Sequence, residues 1–205
     1  LPDDHPINLE YDQFLSHFGE EGNLIVMGVK DSTIFTPEKF KAWNQLSKDI
    51  GKFNEVELTL SVGNLQKLEK KTDTTGFELV PFIKDSVFTQ ANLAEYKDEL
   101  FNKLPFYDGL IYSPDKQSIR SAIYLKKDIV NTAARKDFVI DDLIPIIKKF
   151  EEDTGVTVYT SGMPYIRTLN SQSIIDEIGL FIGGALLVTS LIFFFFFRSW
   201  RATFI

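Results

Sequence analysis

The sequence predicts an α+β domain followed by a single membrane-spanning helix. Two stretches, at about residues 24–62 and 119–160, each read as strand, helix, strand, and the uninterrupted run IGLFIGGALLVTSLIFFFFF occupies residues 178–197 between Glu177 and Arg198. At about 1.5 Å of rise per residue that charge-free run covers roughly the 30 Å of a bilayer's hydrocarbon core.

Residues 1–6 are a polar, proline-bracketed lead-in. Tyr11, Phe14, Leu15 and Phe18 then recur at helical spacing up to Gly19, as a short amphipathic helix with a glycine stop would. Residues 24–29, LIVMGV, form an apolar run read as a buried strand. Thr36-Pro37-Glu38 opens a helix with a capping hydroxyl, a first-turn proline and an early acid. Phe40, Trp43, Leu46 and Ile50 give it one apolar face, and Gly51 ends it. Residues 55–62 alternate polar and apolar, the period of a half-buried strand, and complete the first unit.

Residues 63–89 carry weaker signals and read as a hairpin or loop around a Lys- and Thr-rich turn. A second helix from about Ala91 places Leu93, Tyr96, Leu100 and Leu104 on one face and halts at Pro105. Ile119, Ile123 and Leu125 alternate with Arg120, Ala122 and Tyr124 as a strand. A third helix is expected from about Ala134 to Asp153, kinked or truly started by Pro145 and closed by Gly155, and residues 156–160 follow as a strand. Two such units of similar length predict an α+β sandwich of the ferredoxin-like type, with helices on one face of the sheet.

The turn Ser161-Gly162-Met163-Pro164-Tyr165 leads into a helix that no later proline interrupts, so one rod of about 34 residues, rigidly coupling domain and membrane, is expected. Asp176 and Glu177 precede the apolar run, while Arg198 and Arg201 follow it. The basic end marks the cytoplasmic side and leaves the preceding domain outside it, with Trp200 as an interfacial anchor. Gly179, Gly183 and Gly184, with Ala185, place small residues where a neighbouring helix can approach; a flexible joint is the other reading. The resulting division is 1–175 extracytoplasmic domain, 176–198 transmembrane helix and 199–205 start of a cytoplasmic segment. Because residue 1 is a leucine with no signal sequence, and Ile205 lies four residues after Arg201, an internal fragment of a longer protein is expected.

All 29 acidic residues precede Ile178 and two of the 22 basic ones follow it, which leaves residues 1–177 with a net charge of −9. Such a surface repels phosphate backbones and argues against nucleic-acid binding. The absence of cysteine removes disulfides, thiolate zinc sites and cysteine catalysis. His5 and His17 match no metal or general-base spacing, Asp141-Asp142 and Glu151-Glu152-Asp153 read as solvated helix ends, and Glu55 and Glu57 as an exposed strand face. Ser161-Gly162 lacks the glycine pattern of a nucleophile elbow, and no phosphate-binding loop is present. The expected protein is not an enzyme and needs no cofactor or metal. Among the nineteen phenylalanines, Phe77, Phe82, Phe88, Phe101 and Phe106 form a candidate apolar substrate groove, with simple core filling as the competing reading.

The Leu-Pro-Asp-Asp opening at residues 1–4, the stretch from Phe18-Gly19 to Val29, the strand at 56–62, the Ser161-Gly162-Met163-Pro164 turn and the Phe197-Arg198-Ser199-Trp200 exit together resemble a known family. The chain is similar, over essentially its whole length, to the first periplasmic porter loop and second transmembrane helix of RND (resistance–nodulation–division) superfamily exporters, in the MMPL-like branch. The resemblance implies a proton-driven exporter of lipids or other hydrophobic compounds in the bacterial inner membrane. Residues 1–175 would be its periplasmic porter domain, and its partners the lipid bilayer, the parent protein's remaining membrane helices and second periplasmic loop, and a lipid-like substrate. The proton-carrying groups would lie in later helices. A membrane-anchored sensor or binding module, and the periplasmic domain of an ABC-type permease, are the readings from other classes.

Overall fold

Strand β1 (Leu24–Val29) shows the alternation that places it: Ile25, Met27 and Val29 are buried, while Leu24, Val26 and Gly28 are half-buried on the other face. In the computed structural model, which describes residue 10 and residues 22–71, 76–84, 87–113, 115 and 118–197, it is an inner strand of a four-stranded antiparallel sheet. The order is β2 (Val56–Leu60), β5 (Ile119–Leu125), β1, β6 (Tyr159–Ser161), each pair antiparallel. Strands β1 and β2 therefore run parallel with β5 between them, and helix α1 (Pro37–Ile50) makes the crossover. The protein is α+β, as the sequence predicts. The amphipathic helix expected at Tyr11 to Phe18 lies outside the described residues.

Helix α1 begins after Thr36 with Pro37 in its first turn, where a missing N–H costs nothing, and ends at Gly51. Its face of Phe40, Trp43, Leu46 and Ile50 enters one core with Ile25, Met27 and Val29 of β1 and Ile119, Ile123 and Leu125 of β5. The Ser47 and Ser121 hydroxyls, both buried, bond each other at 3.1 Å and so satisfy the polar atoms where α1 crosses β5.

Between β2 and β5 the chain builds a hairpin, β3 (Gln66–Lys70) with β4 (Phe77–Pro81), and helix α2 (Gln90–Lys103), capped by the Thr89 hydroxyl. The hairpin is inside-out. Leu68 and Leu79, paired across it, and Phe77 are exposed. On the other side Lys67 bonds Glu99 of α2 at 2.6 Å and Glu69 at 3.2 Å, and Lys84 reaches Glu69 at 3.0 Å. The hydrogen bond that the Lys67 ammonium donates to Glu99, ahead of the opposing cost of burial, holds that ammonium above its ordinary range.

The third helix is continuous but changes pitch. After α3 (Ala133–Asp137) a π-helical segment spans Phe138–Leu143, and α4 (Ile144–Thr154) carries Pro145 in its first turn. Pro145 has no N–H to give, and the wider turn instead directs the Ile144 N–H five residues back to the Val139 carbonyl. This reconciles helix and proline without a break. Within the π segment Asp142 is half-buried; burial first, then the negative charges of Glu55 and Asp141, hold its carboxyl above the usual range. A carboxyl raised in the folded state favours the fold below its unfolded pKa and loses that contribution as pH rises through the folded value. Asp142→Asn is therefore expected to stabilise the protein near pH 7 by up to about 0.5 kcal/mol. Melting curves should show the gain disappear near about pH 3, below the free carboxyl's range. The same gain at both pH values would exclude this electrostatic origin.

The strand expected at residues 156–160 forms later and shorter, at Tyr159–Ser161. The Val158 N–H is taken at 2.7 Å by the Glu151 carboxylate rather than by a neighbouring strand, and Val156 is buried as an irregular plug. After Gly162, helix α5 runs unbroken over Met163–Phe197. By compactness the chain divides into Leu1–Tyr165 and Ile166–Ile205, and residues 166–197 of α5 are the described part of the second unit.

Candidate functional site

The register of the sheet fixes which side chains share the face opposite the α1 core. Three rows cross it: Arg120, Gly28 and Tyr159; then Leu60, Ala122, Val26 and Ser161; then Leu58, Tyr124 and Leu24. Glycine at the middle of the first row leaves no side chain between Arg120 and Tyr159, and a groove of about 380 Å³ opens there. Its lining combines the apolar Val26 and Val29 with the cations Lys30 and Arg120, the ring of Tyr159 and the hydroxyls of Ser118, Thr160 and Ser161. A Cβ on Gly28 would stand 3.3 Å from the Arg120 Cγ and 3.2 Å from the Ile119 carbonyl oxygen, so the arginine stem lies directly over the glycine. The guanidinium is held by donation from Nη1 to the Gly109 carbonyl at 2.7 Å.

An apolar channel with hydroxyls along it and two cations beside it suits an amphiphile: an alkyl or ring portion on the valines and tyrosine, a polar or anionic head near Lys30 and Arg120. The second unit adds one relevant property. Among the described residues, α5 is the one helix long and apolar enough to cross a membrane, and the side chains of its apolar window are exposed.

Neither a family model nor a curated protein matches the chain.

The five phenylalanines singled out from the sequence are placed in two different settings. Phe82, Phe88 and Phe101 pack with the core, edge-on to Tyr96 at 5.4 Å, Phe40 at 5.0 Å and Tyr112 at 5.1 Å respectively. Phe77 and Phe106 are 69% and 82% exposed, on β4 and in the short 3-10 turn after α2. None of the five lines the groove at Gly28. Gly179, Gly183 and Gly184 lie along α5, and a Cβ added at any of them would meet nothing within 4 Å. Arg198, Arg201, His5 and His17 lie outside the described residues.

Gly28, Arg120 and Tyr159 were not singled out as site residues by the sequence. The available signal was the glycine itself, one residue without a side chain inside the apolar strand LIVMGV, which marks either a bulge or a place left open. Its partners come from β5 and β6, far away in sequence, and only the strand register brings them to it.

Proposed function

We propose that this chain is the periplasmic substrate-handling domain and following membrane helix of a proton-driven RND-type exporter of lipids or other hydrophobic compounds, residing in a bacterial inner membrane. The observation that carries the proposal is the sequence of parts: an α+β domain whose last strand turns at Gly162 into a 35-residue helix whose last 20 residues are uncharged and apolar. The order β2-β5-β1-β6, with α1 and α3–α4 as the two crossovers, supports the ferredoxin-like reading, since each half is a split strand-helix-strand unit around a shared antiparallel sheet. In this reading residues 1–175 are extracytoplasmic, 176–198 cross the membrane, and 199–205 begin a cytoplasmic segment. The groove at Gly28 is the surface that meets the substrate, and the partners are the bilayer and the remaining helices and second periplasmic loop of the parent protein. The domain binds and passes on its cargo and performs no covalent chemistry.

Export of lipid-like dyes and native lipids from cells carrying the parent protein tests this. Export should collapse when an uncoupler dissipates the proton gradient, and Tyr159→Ala, which removes the exposed ring from the groove wall, should lower it about tenfold or more without loss of folded protein. A single spanning helix among the described residues also fits a membrane-anchored binding module. Ligand binding by the protein, with no uncoupler-sensitive export of any compound, would decide for that module.

A further inference from the structure

We propose that a second pocket, between α1 and the turn at Gly63, binds a small hydroxylated organic anion, independently of the exporter reading. Lys41, Asn44, Gln45 and Lys48 fall at helical spacing on one side of α1 and line a cavity of about 290 Å³ together with Gly63 and Phe88. That size is at the lower end of the roughly 300–1,000 Å³ of ligand sites, and it selects a small molecule.

Asn44 is the observation that asks for a ligand. The residue is only 5% exposed, and neither the Nδ2 nor the Oδ1 of its amide has a hydrogen-bond partner. Buried amides are almost always satisfied, because leaving both donor and acceptor unpaired away from water is unfavourable. Gly63 faces the amide: a Cβ there would stand 2.5 Å from Oδ1 and 2.9 Å from Cγ. Glycine at this turn is what makes room for the amide beside the cavity.

The mouth supplies charge. Lys41 and Lys48 are exposed, and among the described residues neither forms an ion pair. Of the two acids on the helix, Glu38 lies three residues before Lys41 but forms no ion pair with it, and Asp49 is already engaged by Lys52 at 2.6 Å and by the Gln45 amide at 2.9 Å. On one side the wall is the Phe88 ring, fixed edge-on against Phe40. An amide needing both an acceptor and a donor is answered by a hydroxyl, which is both, and two free ammonium groups are answered by a phosphate or carboxylate. A glycerol-phosphate unit combines them, either as a free solute or as the headgroup of an anionic lipid.

The test uses the full chain, ¹⁵N-labelled in neutral detergent micelles, titrated with glycerol 3-phosphate while the Asn44 side-chain amide signals are followed. Saturable movement of those signals is expected, and Lys41→Ala combined with Lys48→Ala should weaken it at least tenfold with the melting temperature unchanged. Asn44→Leu, followed through the Gln45 side-chain amide on the same cavity, should abolish binding while raising the melting temperature, since the stranded amide is gone. Repeating the experiment in bilayer discs with and without phosphatidylglycerol separates the sources. Movement with the lipid alone assigns a headgroup site, and movement with the solute alone assigns a free metabolite. Still Asn44 signals with every probe, or inorganic phosphate shifting only the lysines, would overturn the proposal and leave a water-filled pocket with loose surface charge.

Discussion

Gly162→Ala is expected to destabilise the domain by at least about 3 kcal/mol, combining strain at an unfavourable backbone conformation with overpacking against a neighbour. Gly162 has φ +123°, and its missing side chain faces the central strand: a Cβ would press on the Leu24 carbonyl and stand 2.9 Å from the Ile25 Cα. Those atoms are backbone of β1, locked between β5 and β6, so nothing nearby yields cheaply. Gly155 is the control. It closes α4 at φ +67°, yet a Cβ there would meet nothing within 4 Å, so Gly155→Ala should cost only about 1 kcal/mol for the left-handed backbone alone. Melting of the two variants side by side measures the difference. Equal losses would show that conformation, not the contact with β1, limits position 162.

Trp43→Ala should cost about 3–5 kcal/mol, the range for deleting a large buried aromatic. Trp43 is wholly buried at the centre of α1 and meets Phe150 of α4 edge-on at 5.8 Å, so it joins the helices of the two crossover units. At about 2–4 °C of melting temperature per kcal/mol for a chain of this size, the drop should be roughly 10 °C. Trp43→Phe should behave differently. The indole Nε1 has no hydrogen-bond partner, so phenylalanine removes an unsatisfied donor while retaining much of the packing, and a loss below about 1.5 kcal/mol is expected. A loss as large as that of alanine would mean that the indole nitrogen has a bonded partner or that its shape is indispensable.

Helix α1 was legible almost to the residue, because Pro37 and Gly51 mark its ends locally; the expected Thr36 cap is not made, and that hydroxyl donates to the Thr33 carbonyl at 2.9 Å instead. Strand β1 was legible as a continuous apolar run and β5 by its alternation, and both patterns record burial in the core. The hairpin was read only as a hairpin or loop because its polarity is reversed, with leucines outward and lysine inward, so periodicity says nothing about which way it packs. Pro145 announced a disturbance without revealing its kind, since a π turn is a backbone accommodation with no composition of its own. Strand β6 was misplaced because Val156-Thr157-Val158 has strand composition while a carboxylate five residues before Val156 captures a backbone N–H that pairing would have needed. Of the groove, one residue was visible in principle, Gly28, and the rest depends on register.

The reversed hairpin makes ionic strength a structural variable for this molecule. At its base Leu65 and Phe82 are buried and the Phe82 N–H bonds the Leu65 carbonyl, so that end belongs to the core. Further out, the ion pairs among Lys67, Glu69, Lys84 and Glu99 add to the bond from the Tyr107 hydroxyl to the Gln66 carbonyl at 2.7 Å, and raising salt from about 0.15 M to 1 M shortens the screening length around the pairs from about 8 Å to 3 Å. Acid acts through the same groups. Hydrogen bonds from Lys84 and then Lys67 hold the Glu69 carboxyl below its ordinary range, so its contribution persists until pH falls through that lowered value. Salt thus weakens the ionic part of the hairpin's attachment while the Tyr107 bond and the buried base hold, and mild acidification leaves even the ionic part in place.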